Sequence, residues 1–291
     1  KKIIKYESIF QKFESNFLLA ERHYTTSAIK NYLFKKYGGK LNCCLQRIII
    51  HLGTTGFYIN ADIFFSLGKK TSDILQITGS RIKKIIPIGS YVYDAMWINQ
   101  KKIDTPKYDI IYLGGNKLDY FSTDSKYLTN YYEQLSWLKK LGEDFPKLSI
   151  AIKHHENNKH IDKKELKIIK NSRVERITSS IPGKTNGSYG FAINASIRLT
   201  WCSTMGYELI GHGYPCYFLD PKLENKSFLH DYQYNKIWRI DSYSKLKNKI
   251  KNITENKKKD VVMDNENFCL ISKNVSEKIV ASLKNNLLNL S

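Results

Sequence analysis

The chain has no long hydrophobic run. Its longest apolar stretches, around 48–52 and 61–67, are strand-sized. Neither approaches the ~20 residues that a bilayer-spanning helix needs. No signal peptide is visible and the first residue is Lys1, not Met, which leaves open a missing start and a lost targeting segment. Cysteine is sparse: Cys43, Cys44, Cys202, Cys216 and Cys269, an odd number without a C-x-x-C pair. That pattern argues against a disulfide framework or a structural zinc site, and a reducing, cytoplasmic setting is expected. No internal repeat is present, so solenoid and propeller architectures are not expected.

What is there suits a globular protein. A length of 291 residues suits two domains rather than one. With 42% hydrophobic and 25% charged residues, the chain can bury cores and is not a disordered polymer. The net charge is +20. The excess is mostly Lys, spread along the chain, which reads as a solvated basic surface. The two Lys-rich stretches, 163–170 and 247–259, lack interleaved aromatic residues. A specific nucleic-acid partner is therefore not expected.

Hydropathy patterning gives the organisation. Residues 5–24 place Ile9, Phe10, Phe13, Phe17 and Leu18 on one helical face. A second helix should start near Thr26 or Ser27 and end at Gly38-Gly39. Short apolar runs at 47–52, 61–67 and 85–88 then read as buried parallel strands. Residues 94–107 lack periodicity and read as a linker, Asp94 included; Asp62 reads as a cap or turn residue. A second α/β series follows. Strands are expected at 108–113, 148–152, 174–178, 198–201 and 215–219, and helices at 124–141, 163–170, 189–195, 206–211 and 275–290. This alternation predicts an α/β fold of two Rossmann-like domains, with parallel sheets covered by helices. The first would span 1–104 and be short or truncated. The second would span 105–291, its last helix turning back towards the first.

Open α/β sheets bind ligands at the carboxyl ends of their strands, so the residues that follow each strand are informative. They are His51, Gly68, Gly89-Ser90, Gly114-Gly115-Asn116, Lys153-His154-His155 and Cys202-Ser203-Thr204. Lys and imidazole side chains can meet phosphate oxygens. Ser203 or Thr204 would cap a helix whose free N–H groups favour a phosphate, and Glu208 lies about one turn in. The plainer readings are a solvated His pair and an ordinary helix cap.

As a pair, the segments Lys153-x-His155 and Ser203-Thr204-x-x-x-Glu208 resemble the donor-binding half of bacterial GT-B transferases. These are surface-polysaccharide glycosyltransferases and the group of CDP-glycerol glycerophosphotransferases, sialyltransferases and Kdo transferases. Glu156 departs from the proline of the first motif. The resemblance implies that Lys153, His155, Ser203, Thr204 and Glu208 hold a nucleotide-sugar or CDP-polyol donor, and their strand-end positions make His154, Gly114 and Gly115 further donor-binding candidates. It also makes His51 a candidate catalytic base, with Leu52 separating it from Gly53 where the family has His-Gly. An imidazole titrates in the range that this proton transfer needs. No D-x-D metal motif is present, and no cofactor or metal is expected. The acceptor would be a glycan or lipid-linked hydroxyl, and the positive charge would favour the anionic inner face of a membrane. Two alternatives stand beside transfer: a GT-B-like sugar-nucleotide epimerase and a non-catalytic polyanion-binding homologue.

Overall fold

The computed structural model describes residues 2–23, 26–50, 58–92, 94, 108–114, 125–154, 163–177, 187–201, 203–221, 238–256, 264–272 and 274–288. In chain order, the first elements are α1 (Lys2–Lys12), β1 (Phe17–Ala20), α2 (Ala28–Lys36), β2 (Leu41–Leu45), β3 (Asn60–Ser66), α3 (Ile74–Ile77) and β4 (Arg81–Pro87). They are followed by β5 (Ile110–Leu113), α4 (Ser125–Asp144), β6 (Ile150–Lys153), α5 (Lys163–Ile169), β7 (Val174–Ile177) and α6 (Gly187–Asn194). The last are β8 (Ile197–Thr200), α7 (Thr204–Gly211), β9 (Cys216–Leu219), β10 (Arg239–Ile240), α8 (Tyr243–Asn256) and α9 (Val275–Leu288). Two compact units result: Lys1–Asn99 with Asp264–Ser291, and Gln100–Met263. Residues 105–291 read as one domain in the sequence; the structure groups α9 and the segment before it with the first unit.

The first unit is a parallel sheet in the order β1-β2-β3-β4. One face carries Leu41, Cys43, Leu45, Ile63 and Phe65 against Val275, Ile279 and Leu283 of α9. The other carries Ala20, Cys44, Ala61 and Phe64 with Ile50, Ile59, Ile74 and Leu75. Two expectations are corrected here. The helix read over 5–24 ends at Lys12, and Phe17 and Leu18 belong to β1. Asn16 accepts the amides of Lys40 and Leu41, and the register Phe17↔Leu41 makes four residues a strand. The strand read at 47–52 lies earlier, at Leu41–Leu45, all of it buried. Ile49 and Ile50 are buried but outside the ladder. α2 does run from a Ser27 cap, whose hydroxyl accepts the Lys30 amide.

Asp62 is not a turn residue. It lies inside β3, accepts the Asn42 amide at 2.9 Å and pairs with Lys35 at 2.7 Å and Lys83 at 2.8 Å. Burial pushes its carboxyl up, but the lysines and the Asn42 amide outweigh this and hold it below its ordinary value. Asp94 is not a linker residue either. Its carboxylate accepts the amide of Val275, the first residue of α9, at 3.0 Å. It therefore caps a helix end that would otherwise leave that donor unsatisfied.

The second unit is a parallel sheet in the order β10-β9-β8-β5-β6-β7. Strands β5, β6, β8 and β9 are buried at every position. That matches their reading as continuous apolar runs, since helices cover both faces of such a sheet. One buried charge holds α6 in place. Arg198 of β8 donates to the carbonyls of Ala192, Ile193 and Ala195 at 2.6–2.9 Å. These are the carbonyls that a helix end leaves without partners. Arg198→Met should cost about 2–3 kcal/mol in a urea unfolding series, through three unsatisfied acceptors. A loss within experimental error would show that water replaces the guanidinium.

Candidate functional site

The strand order of the second unit locates its crevice. From β5, the chain builds outward to β6 and β7, then returns to the other side of β5 with β8, β9 and β10. The order reverses between β5 and β8, and ligands of open parallel sheets bind outside the carboxyl ends at such a point. Leu113 of β5 is in register with Lys153 on one side and Thr200 on the other. Gly114 and His154 come directly after Leu113 and Lys153, and the Ser203 cap follows Thr200 after Trp201 and Cys202. The topology thus brings three of the sequence-selected segments to one sheet edge.

The Lys153 side is a buried network. Lys153 is 3% exposed, and its Nζ donates to the His154 carbonyl at 3.0 Å. The His154 ring meets Glu165 Oε1 through Nε2 at 2.8 Å. Glu165, 1% exposed, also accepts from Tyr131 at 2.8 Å and from Arg176 Nε at 2.9 Å. Burial pushes the Glu165 carboxyl up, but bonds from His154, Tyr131 and Arg176 outweigh this and hold it below its ordinary value. His154 Nδ1 has no hydrogen-bond partner among the described residues and faces Gly114. A Cβ on Gly114 would lie 2.4 Å from that nitrogen. The Gly114 amide donates to the Lys153 carbonyl at 3.0 Å. His154 and Gly114, both expected to contact the donor, are therefore engaged with each other and with the protein.

On the other side, Ser203 caps α7, its hydroxyl accepting the Met205 amide at 3.3 Å. Gly206 lets the helix lie close to the sheet: a Cβ there would come within 3.0 Å of the Phe218 ring and the Thr200 methyl. Glu208 is buried on α7 and accepts the Tyr189 hydroxyl. The helix ends as the sequence suggested. Gly213 has φ +82, its amide donates to Ile210, and the Tyr214 amide donates to Leu209. His212 caps this end.

This architecture is found in solved structures. The S. aureus MnaA–UDP complex superposes with a TM-score of 0.65 at 13% identity, covering 99% of this chain and 79% of that one. The UDP-GlcNAc 2-epimerase of Neisseria meningitidis bound to UDP-GlcNAc gives 0.62 at 13% identity, covering 97% and 80%. That of Methanocaldococcus jannaschii with UDP-GlcNAc and UDP gives 0.62 at 16% identity, covering 97% and 79%. The fold is of the GT-B type. No family profile and no curated protein match the sequence.

In this GT-B-type fold, the first unit closes part of its own strand-end edge. The segment 264–272 runs across the ends of β3 and β4. Lys69 and Lys70 amides donate to Glu266 and Asn267, and the Leu270 amide donates to Leu67. Gly89 has φ +91, and a Cβ on it would lie 2.4 Å from the Leu270 carbonyl. A Cβ on Gly68 would lie 2.7–2.8 Å from the backbone of 266–268. Two strand ends that the sequence offered as ligand positions are thus occupied by the chain itself. At the ends of β1 and β2, Gln46 bonds to Leu67 and Thr71, while His23 Nδ1 accepts the Arg47 amide at 3.2 Å.

His51, Gly115 and His155 lie outside the described residues. Among the described residues, no cluster of three or more His, Cys, Asp or Glu could hold a metal, and no helix is long and apolar enough to cross a membrane. Burial pushes the Cys43 and Cys216 thiols up to about 12, which keeps them from acting as nucleophiles. Sequence reading missed Glu165, Tyr131, Arg176 and Tyr189. The one available signal was that Glu165 sits four residues before Ile169 on α5, on the buried side of a short Lys-rich helix.

Proposed function

We propose that the chain binds a nucleotide-activated sugar at the β5–β8 edge of the second sheet and acts on it as a sugar-nucleotide epimerase. The carrying observation is the register that levels Lys153, Leu113 and Thr200 at the reversal of strand order, with the capped start of α7, the helix that carries buried Glu208, following Thr200. The Lys153 ammonium would oppose the diphosphate charge, and the first turn of α7 would support it. Glu208, already oriented by Tyr189, would accept a sugar or ribose hydroxyl. The similar solved structures, two of them 2-epimerases holding UDP-GlcNAc, favour this over group transfer. His51 is the imidazole proposed to move a proton.

Transfer to a hydroxyl is the second reading. The pairing of Lys153-x-His155 with Ser203-Thr204-x-x-x-Glu208 favours it. A glycan or lipid-linked acceptor and a place at an anionic membrane surface belong to this reading alone. Calorimetry against CMP, CDP, UDP and GDP should reveal one preferred nucleotide. Lys153→Met should weaken it by about 10–100-fold, the worth of a hydrogen bond to a charged group. Equal affinity of the variant and the wild type would remove Lys153 from the site. Incubation with UDP-GlcNAc alone should yield an epimeric sugar; turnover that needs an added acceptor would instead select transfer.

A further inference from the structure

Lys153 is held by a carbonyl whose own residue is held from behind. The Lys153 Nζ bond goes to the backbone oxygen of His154. The ring of that same residue, His154, is clamped on two sides. Nε2 is bonded to Glu165, and Nδ1 is seated against the bare Cα of Gly114. Glu165 is fixed in turn by Tyr131 from α4 and Arg176 from β7. Three secondary-structure elements thus meet on one carboxylate, far from solvent. A buried Glu–Arg–His cluster is an expensive way to fill a core, because apolar side chains of equal volume are often as stable or more so. Its residues nonetheless converge behind Lys153, at the sheet edge to which the nucleotide diphosphate is assigned above.

We propose that Glu165 is a positioning residue for nucleotide binding, acting through His154 to set Lys153. The inference rests on the nucleotide site proposed above. It deepens that site by adding a residue with no ligand contact of its own. The physical content is a chain of constraints. Glu165 selects the Nε2–H tautomer, the ring then fits the space that Gly114 leaves, and the peptide plane of His154 presents its oxygen to Lys153. Breaking either clamp on the ring should therefore have the same consequence at Lys153.

The test is a double-mutant cycle on nucleotide affinity in the full chain, with UDP as probe and melting temperature recorded in parallel. Glu165→Gln and Gly114→Ala should each weaken UDP binding by about tenfold. Because both act through one ring, the double variant should lose little more than either single variant, whereas independent sites would multiply their losses. Glu165→Gln leaves Arg176 without its carboxylate and can fail to fold. Tyr131→Phe removes a single bond to Glu165 at no change in charge, and should weaken UDP binding severalfold with the fold retained. His154→Gln keeps a donor for Glu165 and should restore most of the affinity that His154→Ala loses. Multiplicative losses, or UDP affinity unchanged in Tyr131→Phe and Glu165→Gln, would overturn the inference while leaving the nucleotide site standing. Absence of UDP binding by the wild type, with another nucleotide bound, moves the cycle to that nucleotide as probe. Absence of all four would overturn the site and the inference together.

Discussion

A chain ending at Met263 will keep its second unit and lose its first. Removal of 264–291 strips Val275, Ile279 and Leu283 from the face of β2 and β3. Burial of three such side chains is worth about 6 kcal/mol. The backbone bonds that tie 264–272 to Leu67, Lys69 and Lys70 go with them. A whole domain is stable by only about 5–15 kcal/mol, so this loss is comparable with the total. Hydrogen exchange reads the outcome strand by strand. Amides of β2 and β3 should lose protection, while those of β5, β6 and β8 keep it. Protection retained in β2 and β3 would mean that α9 only covers a unit that folds without it. Addition of a separate 264–291 peptide should restore protection in part, since the chain-end segment acts by packing and not by connectivity.

The same dependence explains where sequence reading worked and where it did not. β5, β6, β8 and β9 are short, largely apolar runs, and these four strands and β7 are each read within two residues of their observed bounds. Local pattern sufficed for β5, β6, β8 and β9 because they are buried at every position and have no alternation to read, whereas the edge strand β7 exposes Glu175. In the first unit β3, read at 61–67, lies within one residue of its observed bounds, but β1 and β2 resisted because they are made by distant partners. Phe17–Ala20 can extend a helical stripe as well as form a strand, and only pairing with Leu41–Cys44 decides. β2 carries Asn42 and two cysteines, a poor strand on propensity alone. Asp62 redeems it from twenty residues away: each of the two side chains takes the other's backbone amide, at 2.9 and 2.7 Å.

The candidate site divides along the same line. Lys153 and Ser203 are visible because one ends a strand and the other follows one, which is a local property. The clamp behind Lys153 draws on residues 131, 154, 165 and 176, which share no motif and meet only once the sheet is assembled. In the sequence His154 reads as a donor contact or, more plainly, as half of a solvated pair of imidazoles. Its burial is decided by Gly114, forty residues earlier, which leaves room for a ring where any other residue would place a Cβ.

Stability should fall as pH drops from 7 to 5, and one residue should account for most of the fall. His23 is buried at the end of β1, its ring accepting the Arg47 amide and bonded to the Leu45 backbone. Burial lowers its pKa to about 4 from an ordinary 6.5, against a smaller opposing effect of the Leu45 bond. Between these two values the unfolded chain takes up a proton that the folded chain refuses. Stability is therefore complete above pH 6.5 and is lost as pH falls towards 4, which is the direction linkage requires when the unfolded state binds more protons. The loss should reach about 2 kcal/mol by pH 5 and about 3 kcal/mol by pH 4. The Asp62 and Glu165 carboxyls, both held below their ordinary values, contribute only at the acid end of that range. Unfolding by urea at pH 7, 6 and 5 thus isolates the imidazole. His23→Gln keeps a neutral acceptor for Arg47 and a donor for Leu45, and should flatten the profile between pH 7 and 5. A wild-type profile already flat there, or a His23→Gln profile as steep as the wild type, would show that His23 opens to solvent before it titrates.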